Sequence, residues 1–232
     1  MRRPRLPATL PATLPATLAV ALLLTACDDQ AGPAQLDAPA PPASTPAAPP
    51  LTAEDARPRD TGDTAPAAVL RDADDQPVDL GAVYAEAPTM LLFYRGGWCP
   101  YCNEQLAAAA QAEDEITAMG IQIIAVSPDS PATLRDNPLD VEVGYRLLSD
   151  SSMTLAQAFG VAFRVDDETI DQYKEYGIDL AQAAGEAHHL LPVPAVYLID
   201  TEGVIRFAHW DADYRQRLSR DELIDAAQQL AQ

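Results

Sequence analysis

Cys99 and Cys102 stand two residues apart in Trp98-Cys99-Pro100-Tyr101-Cys102, where the apolar run Thr89 to Arg95 gives way to an alanine-rich stretch of helical character. Two thiols so spaced can close a small disulfide ring, and the first sits at the electropositive end of the expected helix. These residues point to redox chemistry. An ordinary cysteine, with a pKa of about 8.5, is mostly protonated at neutral pH, and a helix N-terminus shifts it downward. Pro100 suits the first helical turn because its missing N–H would have no partner there. Cys102 lies one turn further on, on nearly the same face, where it can attack a mixed disulfide or a sulfenate on Cys99. The expected roles are therefore nucleophile for Cys99 and resolving thiol for Cys102, with Trp98 shielding the sulfur pair on one side. Arg95, four residues before Cys99, either favours the thiolate electrostatically or points to solvent; the sequence leaves both open.

Two other uses of the pair are zinc binding and a structural bridge. Zinc takes about four ligands. With Cys27 accounted for separately, only His188, His189 and His209 remain to complete a site, and adjacent histidines meet one tetrahedral ion poorly. No metal and no cofactor is expected, and the histidines are read as surface or satisfied loop residues. A purely structural bridge suits an exported protein, yet closing so short a loop removes little chain entropy.

The elements around the pair alternate. Val69-Leu70 and Val78-Asp79-Leu80 read as short strands about a polar turn. Residues 89–95 form a buried strand, 99–119 a helix stopped by Gly120, and 121–126 a second buried strand followed by the proline-rich loop 127–131. A short strand at 145–148, a helix at 153–159, a hairpin from 195–199 to 204–207 and a last helix at 220–230 complete the pattern. This order implies an α/β fold, a mixed central sheet with helices on both faces. Residues 165–186 are acidic; they read as a solvated helical insertion, with Tyr173 and Tyr176 at helical spacing.

The chain has three segments. Residues 1–26 carry Arg2, Arg3 and Arg5, an apolar stretch at 18–24 too short to span a bilayer, and the small-residue box Leu24-Thr25-Ala26-Cys27. This resembles a bacterial lipoprotein signal, which implies that Cys27 becomes an acylated N-terminus. Each buried methylene adds roughly 0.8 kcal/mol, so several chains anchor a domain without spanning the membrane. The expected location is periplasm-facing, and Asp28-Asp29 favour the inner membrane as they do in some bacteria. Residues 27–66 hold nine prolines from Pro33 to Pro66 and few aliphatic side chains, and are expected to stay disordered as a tether. Residues 67–232 suit one domain. The formal charge of −20 argues against nucleic acid and against docking on anionic lipid head groups.

Phe93-Tyr-Arg-Gly-Gly-Trp-Cys-Pro-Tyr-Cys102, with Leu148-Ser-Asp150, Ala158-Phe-Gly160 and Leu191-Pro-Val-Pro-Ala-Val-Tyr-Leu-Ile-Asp200, resembles the peroxiredoxin-like branch of the alkyl hydroperoxide reductase/thiol-specific antioxidant family. The resemblance covers the domain from residue 67 onward and implies a thioredoxin-like fold. It implies that Pro194 is the proline that faces the cysteine pair in cis, and that the backbone of its neighbour, Val193, pairs with an incoming peptide. It implies a thiol peroxidase in which Cys99 attacks a hydroperoxide and a thioredoxin-like donor recycles the pair. The sequence departs from the family at two positions. Typical members carry Thr or Ser three residues before the nucleophile and Pro seven before it, whereas this chain has Gly96 and Leu92. Cys-Pro-Tyr-Cys is moreover the glutaredoxin-type sequence, so a membrane-tethered reductase of exported protein disulfides stands as the alternative. A binding scaffold without activity stands third.

Overall fold

A computed structural model describes residues 48–136 and 142–230. Cys27, the signal segment and the tether up to residue 47 lie outside the described residues. The strands are β1 (Val69–Arg71), β2 (Pro77–Asp79), β3 (Thr89–Phe93), β4 (Gln122–Ser127), β5 (Arg146–Ser149), β6 (Ala162–Arg164), β7 (Leu190–Pro192), β8 (Ala195–Ile199) and β9 (Ile205–Trp210). The helices are α1 (Leu80–Glu86), α2 (Pro100–Ala118), α3 (Pro131–Asp136), α4 (Thr154–Ala158), α5 (Asp167–Glu175), α6 (Leu180–Ala184) and α7 (Arg220–Leu230).

Seven strands form one mixed sheet in the order β2-β1-β5-β4-β3-β8-β9, and β6 pairs with β7 as a separate ribbon. At the centre β3 is flanked by parallel β4 and antiparallel β8 and is buried throughout, which is why it reads as a continuous apolar run. Its side chains alternate between two cores. Leu91 and Phe93 enter one with Phe159 and Tyr197, whose rings stand 4.8 to 6.1 Å from one another and from Phe93. Met90 and Leu92 enter the other, where α2 and α7 pack together and both cysteines lie. The end of β3 therefore delivers the chain straight to the first turn of α2.

Some local expectations are corrected. Leu80 opens α1 instead of continuing a strand, because the Asp79 carboxylate accepts the Gly81 N–H at 2.9 Å and caps the helix. The proline-rich loop runs into α3, where Pro131 takes the first position and the Ser130 hydroxyl accepts the Thr133 N–H at 3.1 Å. The β6–β7 ribbon was not foreseen, since three-residue strands carry too little pattern to read.

The largest correction concerns the boundary at residue 66. From Pro50 onward the segment expected to be tether is folded onto the domain. Arg164 N–H donates to the Pro50 carbonyl at 2.8 Å, and Arg57 and Arg59 donate to the carbonyls of Gly160 and Phe159. Residues 62–65 bond to the β8–β9 turn, and Ala56 and Ala65 are buried. Low apolar content does not prevent this, because the domain offers unpaired backbone groups that meet the obligatory donors and acceptors of the strap. Gly160 makes room for it: with φ of +73°, any Cβ there would lie 2.0 Å from the Arg57 carbonyl oxygen.

Candidate active site

Cys99 is the N-cap residue of α2, with extended backbone (φ −93°, ψ 113°), and its carbonyl accepts the N–H groups of Cys102 and Asn103 at 3.0 and 3.1 Å. Pro100 follows at the first helical position, as the sequence indicated. Both cysteines are free thiols; Cys99 is 1% exposed and Cys102 not at all. The Cys102 thiol donates toward Cys99. That bond, together with the cations of Arg95 and Arg217, outweighs burial and brings Cys99 down to about 6. Burial and the neighbouring thiol push Cys102 the other way, well above the ordinary value. One sulfur is thus poised as a thiolate and the other is held as a proton donor.

The sequence left Arg95 open, and the structure places it inward. It is 5% exposed, with its guanidinium 5.1 Å from the ring of Trp98, 5.7 Å from that of Tyr173 and 4.2 Å from that of Tyr214. It donates to the Tyr173 hydroxyl, and no carboxylate pairs with it among the described residues. Its backbone N–H points at Cys102 Sγ at 3.5 Å. Trp98 packs against the core cluster that holds both cysteines, and its ring lies 5.5 Å from that of Tyr173 at an interplanar angle of 54°.

Beneath the Gly96-Gly97 turn lies Asp129, 2% exposed. Its Oδ2 accepts the Gly97 N–H at 2.9 Å and the Ser127 hydroxyl at 3.1 Å, while Oδ1 has no partner. Burial raises this carboxyl to about 6. Gly96 has φ of +143°, and a Cβ there would stand 2.4 Å from Trp98 Nε1 and 3.0 Å from Asp129 Oδ1. Where typical relatives carry a hydroxyl side chain, this loop therefore has room for none.

A cavity of about 280 Å³ opens beside Arg95, lined also by Tyr173, Tyr214, Phe163 and Pro194 and walled by the strap at Leu51 to Glu54. Pro194 lines this cavity, the Val193 N–H is given to the Val161 carbonyl at 2.8 Å, and the Val193 side chain is fully buried. Of the Val193 backbone groups expected to pair with an incoming peptide, the N–H is taken by the backbone leading into β6. His188 is a structural residue, its Nε2 donating to the Ser151 carbonyl at 2.7 Å and its Nδ1 accepting the Leu190 N–H at 2.9 Å. Among the described residues no group of three or more His, Cys, Asp or Glu side chains is arranged to hold a metal ion.

Sequence reasoning missed Asp129, Arg217 and Tyr214 and marked Tyr173 only by its helical spacing to Tyr176. Asp129 stood in a loop read for its prolines. The others reach the site from segments far along the chain, which no local motif ties to Cys99.

An α/β sheet that presents a buried cysteine pair at the strand-to-helix junction is the thioredoxin-like arrangement. The profile of the AhpC/TSA family matches residues 61–208, and the chain belongs to that family. Peroxiredoxin Bcp of Escherichia coli is 28% identical over 104 residues, 45% of this chain and 66% of the relative, so a little under two thirds of that protein is matched. Among solved structures, peroxidoxin BcpB of Mycobacterium tuberculosis superimposes with a TM-score of 0.55 at 21% identity, covering 74% of this chain and 96% of the other. Peroxiredoxin Q of Xanthomonas campestris does so with a TM-score of 0.55 at 19% identity, covering 77% and 99%. These likenesses establish the fold.

Proposed function

We propose that the protein is a thiol-dependent peroxidase that reduces hydrogen peroxide or organic hydroperoxides through Cys99 and Cys102 and is recycled by a thioredoxin-like donor. The observation that carries this reading is the combination of depressed pKa and burial at Cys99. A thiolate 1% exposed favours a small hydroperoxide over a folded protein disulfide as the oxidising substrate. Occupation of the Val193 N–H by Val161 points the same way. Family membership and a relative named peroxiredoxin add support.

The Cys99 thiolate attacks one peroxide oxygen, the O–O bond breaks, and the leaving oxygen departs as water or alcohol after taking a proton. Cys99 becomes a sulfenic acid. Cys102 sulfur then bonds to Cys99 sulfur and the S–O bond breaks, releasing a second water. Exchange with the dithiol donor restores both thiols. Arg95, whose buried Nε has no protein partner, supplies an N–H for the peroxide in place of the absent side chain at Gly96.

We assign the same chain an exported location, anchored through an acylated Cys27 and facing the periplasm. The test of activity uses the purified protein with hydrogen peroxide and reduced thioredoxin, and separately with a protein disulfide. Peroxide turnover that disappears in Cys99→Ser, with a trappable sulfenate persisting in Cys102→Ser, is the expected result. Disulfide exchange without peroxide turnover defeats the reading in favour of a disulfide reductase.

A further inference from the structure

Arg217 lies between β9 and α7, on a segment that no sequence motif connects to the cysteines. Three anchors lay this segment along α2. The ring of Tyr214 meets that of Tyr101 at 5.7 Å, Leu218 packs into the core cluster that holds both cysteines, and Arg220 is ion-paired with Glu115 and donates to the Gln111 carbonyl. Between these anchors Arg217 is aimed inward. Its Nη2 stands 3.6 Å from Cys102 Sγ, and its Nε is buried with no partner. No carboxylate pairs with it among the described residues, although Arg215 and Arg220, on either side, both have acidic partners.

Arg217 is half-buried, with Nη1 donating to the Gln216 carbonyl at the surface, and its inward-facing Nε and Nη2 have no carboxylate to meet, so a negative charge arriving there during the reaction would be stabilised. Cys99 is one candidate for that charge, but the atom Arg217 touches is the sulfur of Cys102. The same sulfur also faces the backbone N–H of Arg95 at 3.5 Å, so two donors converge on it from separate elements. A neutral thiol needs no such pair of donors; a thiolate does.

We propose that Arg217 is a catalytic residue of the second half-reaction, holding Cys102 as a thiolate while it displaces oxygen from oxidised Cys99. The proposal rests on the peroxidase reading. Once Cys99 is a sulfenic acid, the hydrogen bond that kept the proton on Cys102 no longer has a thiolate to serve. The Cys102 proton leaves with the departing hydroxide as water, the Cys102 sulfur bonds to Cys99 sulfur, and the S–O bond breaks. The peroxide is the oxidant, and the balance closes with one disulfide and one water for each sulfenic acid consumed. During this step Arg217 stabilises the charge on the attacking, fully buried sulfur.

Two measurements test the assignment. In Cys99→Ser protein, thiolate absorbance of Cys102 is followed against pH, with and without Arg217→Gln. Loss of the cation should move the midpoint up by about one pH unit or more. In protein with both cysteines, rapid mixing with one equivalent of peroxide separates sulfenate formation from its decay to disulfide. Arg217→Gln should slow the decay roughly tenfold or more at pH 7, raising pH should recover it, and Arg217→Lys should restore part of the rate. A decay rate and Cys102 midpoint unchanged in Arg217→Gln would overturn the proposal. If the unsubstituted protein forms no sulfenate at all, the peroxidase reading itself fails, while the absorbance titration still decides whether Arg217 governs the ionisation of Cys102.

Discussion

At the Cys99 sulfur the charge state at neutral pH is set by three neighbours, namely the Cys102 thiol and the cations of Arg95 and Arg217. Because these bring the thiol to about 6, the rate of reaction with hydrogen peroxide should stay level from pH 9 to about pH 7. Below pH 6 it should fall by about tenfold per unit as the thiolate is protonated. A stopped-flow pH series on the purified protein checks this, and a midpoint near 8.5 would remove the basis for enhanced reactivity. Asp129 behaves oppositely. Its carboxyl is raised from 3.8 to about 6, so the folded state holds a proton that the unfolded state has lost, and its contribution to stability is present below pH 4 and lost as pH rises through 6. Asp129→Asn should therefore gain stability relative to the unsubstituted protein as pH climbs from 4 to 7, by about 1 to 3 kcal/mol at the upper end. Urea unfolding of the two proteins at a series of pH values measures the difference, and a gap that does not vary with pH would contradict it. What the sequence shows at this scale is what is contiguous: Cys99, Pro100, Cys102 and Trp98 announce themselves by spacing alone. Asp129, Tyr173, Tyr214 and Arg217 do not, because a side chain's service to a distant sulfur leaves no periodicity behind.

Elements that bury one or two full faces were readable from the chain. The unbroken apolar run of β3, the long helix α2 ended by Gly120, the β8–β9 hairpin and α7 follow from pattern and turn chemistry. The β6–β7 ribbon and the docked strap were not, since both depend on backbone groups meeting partners far away in sequence. One of the strap's attachments is the close approach at Gly160, and that makes it testable. Gly160→Ala should force the Arg57 carbonyl outward and break its neighbouring hydrogen bonds, destabilising the protein by about 1 to 3 kcal/mol. Hydrogen exchange at the amides of Arg57 and Arg59 should rise sharply, whereas amides of β3 should change little. Equal protection of the strap in both proteins would show that the contact does not hold it.

For the whole chain, an acidic balance of −20 separates this protein from polyanionic partners. None of the described helices is long and apolar enough to cross a membrane. In the proposed anchored form, attachment to a bilayer rests on acylated Cys27. Produced in a bacterium with its native N-terminus, the protein should partition into the detergent phase of a cloud-point extraction, and Cys27→Ser should move it to the aqueous phase. Identical partition of the two would sink the anchoring assignment.

The outer strand of the sheet carries a further implication. β2 is three residues long and opens with Pro77, which has no N–H to offer, while the Asp79 side chain that closes it is committed to starting α1. A neighbouring polypeptide seeking to extend the sheet from that side finds too few docking groups to template on. Crowding many copies together should therefore not, at that border, seed fibrous stacking.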